Sequence, residues 1–243
     1  MTSRDSTGFL ARRESKDARL LSEKLLVVGW GAIQWPWLLR SLHGGLKAEK
    51  AALLAELDLP ADALPNLGSW KADTVFLRHI VDAIAELRPR QVVELGCGAS
   101  TLIIARALQR HGGGRLVSYD QHADFCRATA QWLAEHGLDA QIIHAPLVER
   151  RSCWSSQWYD LSQVPAEIDL LVVDGPPWAL NPFVRGNCEA LFSRITPGGM
   201  VLLDDAARPG ERVVKNRWRE AWPQFAFRLD GRGAKGTLIG RKR

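Results

Sequence analysis

The stretch that most constrains the fold is "QVVELGCGASTLIIARAL", Gln91 to Leu108. An apolar run meets a glycine-rich break and resumes with apolar residues at helical spacing. That is the pattern of a buried strand, a tight turn and a helix, with the turn free of bulky side chains where a ligand must approach the main chain. Three further apolar runs, Arg115–Tyr119, Ala140–His144 and Ile168–Val173, alternate with helical patterns, and Met200–Leu203 follows "TPGG". Val/Ile/Leu-rich strands interleaved with amphipathic helices predict a mostly parallel sheet covered on both faces. After a helix over Glu211–Trp222, "FAFRLD" and "GTLIGRK" flank a glycine-rich turn and read as a closing hairpin. The expected architecture is a Rossmann-like, doubly wound α/β sheet of seven strands with an antiparallel C-terminal hairpin.

Ahead of that domain the pattern changes. Residues 1–18 are polar and charged and are expected to be a disordered basic tail. Residues 19–69 read as a helical, tryptophan-rich extension, and 70–243 as the main domain. Within the extension, "KLLVVGWGAIQWPWLLRSL" (Lys24–Leu42) reads as a helix or helix pair broken near Pro36. Its apolar run falls short of the roughly 18–20 residues that span a bilayer. Its expected roles are packing on the main domain, homodimerisation through residues 24–42, or peripheral membrane contact anchored by Trp30, Trp35 and Trp37. A second helix is expected over Lys47–Leu57, and a helix over "ADTVFLRHIVDAIAEL" stops before Pro89.

Four scattered cysteines form neither a Cys-x-x-Cys pair nor a zinc spacing. A reducing, cytoplasmic compartment fits best. Basic residues cluster at the two ends, but no aromatic-interleaved basic motif accompanies them, so nucleic acid is not the leading partner.

The turn itself narrows the ligand. Gly96 and Gly98 are present, but Thr101 stands where a dinucleotide fingerprint has its third glycine, and the Gly-Lys-Ser/Thr of a phosphate loop is absent. Two acids flank the turn: Glu94 before it and Asp120 at the end of the next strand. An acid about twenty residues beyond the glycines suits ribose hydroxyls. An acid beside the turn favours a positive centre. A ligand with a ribose, an ammonium group and no phosphate is S-adenosylmethionine.

"VVELGCGAST", "VSYD", "HAPL", "WYD", "LLVVDGPP" and "VLLDDAAR", in this order, resemble the class I S-adenosylmethionine-dependent methyltransferases, and more narrowly the small-molecule O-methyltransferases. The resemblance covers Trp70 to Arg243. It implies that Glu94, Gly96, Gly98 and Ser100 surround the methionine part of the cofactor, that Asp120 with Gln121 takes the ribose, and that His144 and Ala145 border the adenine. The segment "HAP" lacks the acid with which many relatives hold the adenine amine. A helix N-cap is the competing role for Asp120.

Asp174 and the pair Asp204–Asp205 close two further strands. Clustered carboxylates raise one another's pKa unless a cation joins them, and an all-oxygen set suits magnesium. Catechol-type relatives hold magnesium with an aspartate and an Asp-Asn pair at such positions. The expectation is therefore that Asp174, Asp204 and Asp205 ligate Mg2+, with Asp174 and Asp205 catalytic; the alternative is that Asp174 contacts cofactor or substrate while the other two cap loops. The lysine base of those relatives is missing from "DGPPW", which leaves the base open. Arg185 and Arg208 are candidates for an anionic substrate group or for ion pairs. His122 is expected on the surface, and Trp154, Trp158 and Tyr159 on a lid, an aromatic substrate wall or the core. The expected activity is O-methylation of a small-molecule or sugar-like acceptor. Its rivals are methylation of RNA or protein, and a non-catalytic scaffold that keeps the fold.

Overall fold

The computed structural model describes residues 21–150 and 152–243. The basic residues Arg4, Arg12, Arg13, Lys16 and Arg19, and the tail expected over 1–18, lie outside them.

Three helices come first: α1 (Leu21–Arg40), α2 (Lys47–Glu56) and α3 (Thr74–Leu87). Alternation follows with β1 (Gln91–Leu95), α4 (Ala99–Arg110), β2 (Arg115–Asp120), α5 (Ala123–Glu135) and β3 (Gln141–His144). A small hairpin, β4 (Leu147–Glu149) and β5 (Gln157–Tyr159), precedes β6 (Ile168–Val173). A run of 3-10 turns over Val184–Arg194 leads to β7 (Ile195–Leu203), α6 (Pro209–Ala221), β8 (Phe225–Asp230) and β9 (Thr237–Lys242).

Seven strands form one sheet in the order β3-β2-β1-β6-β7-β9-β8. The pairs from β3 to β7 are parallel, and β9 runs antiparallel to both β7 and β8. The two-residue period of the strands sorts their side chains into two cores. Val92, Leu170 and Val172 face a layer built with α3 and α4. Val93, Leu95, Leu171 and Val173 face a layer that holds Phe192, Trp218 and Trp158. Burial of such side chains contributes about 1.5–3 kcal/mol each, so continuous apolar strands follow directly from a sheet covered twice. Strand order reverses between β1 and β6, and there the two strands share a carbonyl: Leu95 O accepts from Asp174 N and Gly175 N at 2.9 and 2.8 Å. Ligands in such sheets bind at that crevice.

One expectation needs correction. Helix α1 runs through Pro36 without a break. Pro36 is exposed, so its ring meets solvent and not the packed layer. Ahead of residue 70, Leu53, Leu54, Leu57, Ala63 and Leu64 pack into the cluster of α3 and α4. Of the roles weighed for the segment 149–160, packing on the core is the one observed: it contains the β4–β5 hairpin, and Trp158 and Tyr159 on it are fully buried. Helix α1 itself packs through Gln34, Gly31 against Trp178, and Trp30 edge-on to Phe183 at 5.0 Å. Leu21, Leu25, Val28 and Trp35 remain exposed. Among the described residues, no helix is long and apolar enough to cross a membrane.

Candidate functional site

The glycine turn is built from below. Glu94, fully buried on β1, accepts hydrogen bonds from Thr101 Oγ1 at 2.7 Å and Ser118 Oγ at 2.6 Å. Thr101 Oγ1 in turn accepts from Gly98 N at 2.8 Å. The residue in place of a third glycine thus carries a relay from the buried acid to the turn, a role its mere departure from the dinucleotide pattern did not disclose. Ser100, in the first turn of α4, is also buried against Glu94. Burial raises the Glu94 pKa to about 7, and the three hydroxyls only partly offset it.

Gly96 and Gly98 require glycine for different reasons. At Gly96, φ is +96° and an added Cβ would lie 2.7 Å from Gly175 N. The turn after β1 therefore presses directly on the end of β6. At Gly98, φ is +156° and an added Cβ would meet nothing within 4 Å. Open space against the main chain at the first turn of a helix is what a ligand cradle requires.

Asp120 closes the next strand and binds back to the turn: Oδ2 accepts from Cys97 N at 3.1 Å and Oδ1 from His122 N at 2.8 Å. The N-cap of α5 is His122, with no side-chain cap, so Asp120 does not take the helix-capping role. His122 is buried beside Phe125, a correction to its expected surface position, because its backbone is drawn inward by Asp120. His144 is exposed, with Nε2 3.1 Å from Gln121 O, and Ala145 N donates to Asp120 O at 2.8 Å. Gln121, His144 and Ala145 therefore gather around the Asp120 end of the rim. The Cys97 thiol is held well above its ordinary pKa, first by its hydrogen bond with Cys126 and then by burial, which fits a turn residue and not a nucleophile.

The acidic end is also assembled as expected. One carboxylate oxygen from each of Asp174, Asp204 and Asp205 lies within 4.8 Å of the others. Remote basic residues fill the same space. Lys235 Nζ, from the β8–β9 turn, is 3.2 Å from Asp204 Oδ2 and 3.6 Å from Asp205 Oδ1. Arg185 NH1 donates to Asp205 Oδ2 at 3.0 Å, and Arg208 NH2 to the same oxygen at 2.7 Å. Arg185 also ties down the main chain through the carbonyls of Pro176, Asp204 and Asp174. Both arginines are buried ion-pair partners, so neither is offered to an anionic substrate.

These partners split the three acids. Burial alone would raise Asp205, yet Arg208, Lys235 and Arg185 hold it below the usual carboxylate range. For Asp204, burial outweighs Lys235 and lifts the pKa to about 6. Asp174 is pushed well above its ordinary value by burial and by Asp204. Its Oδ1 is 3.5 Å from Arg185 NH2 but makes no hydrogen bond, and Asp204 Oδ1 likewise has none. Asp205, with φ +59°, is clamped by three cations. Lys235 was missed in the sequence because it looked like one of several basic residues near the C-terminus. The signal lay in its flanks, Gly233 and Gly236, which let the turn lie flat against Asp73 and Ala207.

With this geometry in place, comparison with known proteins gives the family. Residues 93–206 match the model described as a methyltransferase domain. The chain thus contains a methyltransferase domain, consistent with a class I S-adenosylmethionine-dependent methyltransferase. Its fold is similar to that of the O-methyltransferase from Bacillus cereus in complex with S-adenosylhomocysteine, with TM-score 0.52, 14% identity, and 89% of this chain and 100% of that chain covered. The S-adenosylhomocysteine-bound Podospora anserina methyltransferase PaMTH1 gives 0.53 at 14% identity, covering 80% and 88%. Cofactor-bound Rv0187 from MTB gives 0.55 at 17% identity, covering 81% and 90%. At these identities the likeness is one of fold. No curated protein matches the chain. The methyltransferase domain therefore occupies the sheet, and the two ends of its rim divide the work.

Proposed function

We propose that this methyltransferase transfers the methyl group of S-adenosylmethionine to a hydroxyl oxygen of a small-molecule or sugar-like acceptor. The observation that carries the reading is the open space over Gly98, set at the strand-order reversal between the Asp120 carboxylate and Asp174. The methionine part lies along Gly96, Gly98 and Ser100, above the buried Glu94. Asp120 with Gln121 takes the ribose hydroxyls, and His144 and Ala145 border the adenine. Asp174 faces the acceptor, and its Oδ1, without a hydrogen bond among the described residues, is the site for the acceptor's proton. In the step, the acceptor oxygen forms a bond to the methyl carbon as the sulfur–methyl bond breaks. The hydroxyl proton passes to Asp174, and the sulfonium leaves as a neutral thioether. Alignment of oxygen, carbon and sulfur supplies a large share of the rate, on the order of 7–11 kcal/mol in favourable cases.

The expected magnesium does not fit this reading. Asp205 has its oxygens committed to three cationic side chains, and Asp204 is already paired with a buried ammonium, which leaves a dication without its third ligand and beside like charge. No step is routed through a metal.

The test is calorimetry with S-adenosylmethionine, followed by methyl-label transfer to a panel of hydroxylated acceptors with and without chelator. Cofactor binding that Asp120→Ala abolishes, with label on an acceptor oxygen, is the expected result. A folded protein that binds no cofactor would support the scaffold instead. Label on RNA or protein would move the acceptor class.

A further inference from the structure

The β8–β9 turn has a feature that the rest of the sheet does not need. Lys235 is carried on it into the acidic end until its side chain is 1% exposed, against an Asp204 side chain at 0%. The turn is fixed from two sides. Asp73, which caps α3 through Phe76 N at 2.8 Å, also accepts from Ala234 N at 2.9 Å and Lys235 N at 3.3 Å. Ala206 N and Ala207 N donate to Gly236 O and Lys235 O at 2.9 and 3.0 Å. Gly233, at φ +74°, leaves room for Asp73 Oδ2, which an added Cβ would approach to 2.6 Å. The backbone around Lys235 is therefore locked before its side chain reaches the aspartates, and the ammonium is delivered to one place.

We infer that Lys235 is a built-in replacement for a divalent cation at the Asp174–Asp204–Asp205 cluster, so that this methyltransferase centre works without metal. The ammonium sits 3.2 Å from Asp204 and 3.6 Å from Asp205, bridging two carboxylates from the inside as a metal ion would. Arg185 and Arg208 complete the compensation on Asp205. Around Lys235, Arg185 and Arg208 lie the carboxylates of Asp174, Asp204, Asp205 and Glu211, with buried Asp73 also acting on Asp204. Removing a single buried positive charge from such a set reverses the argument, because the remaining carboxylates then lack a partner. The catalytic meaning of this substitution rests on the proposed methyl transfer; the charge replacement does not.

The experiment is Mn2+ binding to the full chain by equilibrium dialysis and by its paramagnetic signal, with S-adenosylmethionine calorimetry on the same samples. Wild type is expected to take up no stoichiometric Mn2+. Lys235→Ala is expected to gain one Mn2+ per chain, with affinity at least about tenfold tighter than any wild-type uptake, and to lose it again when Asp204→Asn is added. Lys235→Gln, which keeps the side-chain volume, serves if the alanine variant does not fold. One Mn2+ per wild-type chain, lost on Asp204→Asn, would overturn the inference. So would a folded Lys235 variant that takes up none. Absent cofactor binding together with the expected metal behaviour would count against the proposed function and leave the replacement standing.

Discussion

The two ends of the catalytic rim are built by opposite strategies. At the glycine end, the groups that shape the cradle all fall between Glu94 and Asp120, on one strand-turn-helix-strand unit, and they bind one another: Glu94 holds Thr101, Thr101 holds Gly98, and Asp120 holds Cys97. At the acidic end, the groups come from five separate segments, around Asp174, Arg185, Asp204–Asp205, Arg208 and Lys235. Asp174 Oδ1, Asp204 Oδ1 and Glu211 Oε2 have no hydrogen bond among the described residues, and at the glycine end Glu94 Oε1 has none. A local unit keeps its shape through short-range bonds and leaves open space for a ligand. A non-local cluster keeps its shape through charge balance, and its chemistry can change when any one distant residue does.

The largest expected effect lies at the non-local end. Asp205→Ala leaves Arg185 and Arg208 buried without their shared carboxylate, and breaking a buried pair from one side costs about 3–5 kcal/mol. Urea denaturation measures it. A loss below about 1 kcal/mol would show that the cluster does not hold its end of the fold together. At the local end the corresponding change, Asp120→Ala, is expected to act on the ligand more than on the fold. Two charge-assisted hydrogen bonds to ribose, at about 1.5–3 kcal/mol each, correspond to a weakening of S-adenosylmethionine binding by about 100-fold or more. Asp120→Asn, which keeps one acceptor oxygen, should recover part of it. Equal losses of stability and affinity in Asp120→Ala would erase the contrast between the two ends.

The same contrast explains what could be read from the sequence. The strands Gln91–Leu95 and Ile168–Val173 and the C-terminal hairpin were legible, because burial on both faces imposes a continuous apolar run that local residues report. Gly96, Gly98 and Asp120 were legible for the same reason: spacing along one βαβ unit fixes spacing in space. That Asp174, Asp204 and Asp205 converge was also legible, since parallel neighbouring strands end on one edge. Their counter-charges were not. Nothing in the run "GRGAKG" distinguishes Lys235 from the solvated lysines and arginines that follow it until Asp73 and Ala207 are seen to hold the turn down. Metal was the natural expectation for three converging acids whose cations are out of sight in the chain. Pro36 misled in another way, since a helix on the surface can absorb at its solvent side what a buried helix cannot.

A pH experiment sharpens the comparison at intermediate size. Glu94 holds its proton up to about pH 7 in the folded chain, against an ordinary 4.5, because burial disfavours the charged form. Between those values the folded state binds more protons than the unfolded one, so the stability that Glu94 contributes is full below its ordinary pKa and falls as pH rises toward 7. At 1.36 kcal/mol per pH unit the whole effect is a few kcal/mol, at most about 3. Glu94→Gln keeps an oxygen for Thr101 and Ser118 but has no proton to lose. Its stability should therefore vary less between pH 5 and pH 8, by about 1–3 kcal/mol, when the two proteins are unfolded side by side. An identical pH slope in wild type and variant would mean that Glu94 is already ionised at low pH, and that the local end carries a charge under its cradle.

The smallest expected effect tests the seam between the two ends. Tyr159 packs its hydroxyl where a Cβ on Gly175 would come within 2.3 Å, beside the contact of Gly96 with β6. The hydroxyl is buried, has no hydrogen bond among the described residues, and is pushed well above the usual phenol pKa, first by burial and then by Asp120. An unsatisfied hydroxyl in the core contributes nothing that a ring hydrogen would not, so Tyr159→Phe is expected to leave stability unchanged or to raise it by up to about 1 kcal/mol. Cofactor affinity should stay within about twofold, because the hydroxyl belongs to the packing between the strands and not to the cradle. Thermal unfolding and calorimetry on the same sample decide it. A loss of cofactor affinity beyond about tenfold with stability intact would instead make Tyr159 a ligand contact, and would show that the local cradle borrows a group from the β4–β5 hairpin, as the acidic end borrows Lys235 from the β8–β9 turn.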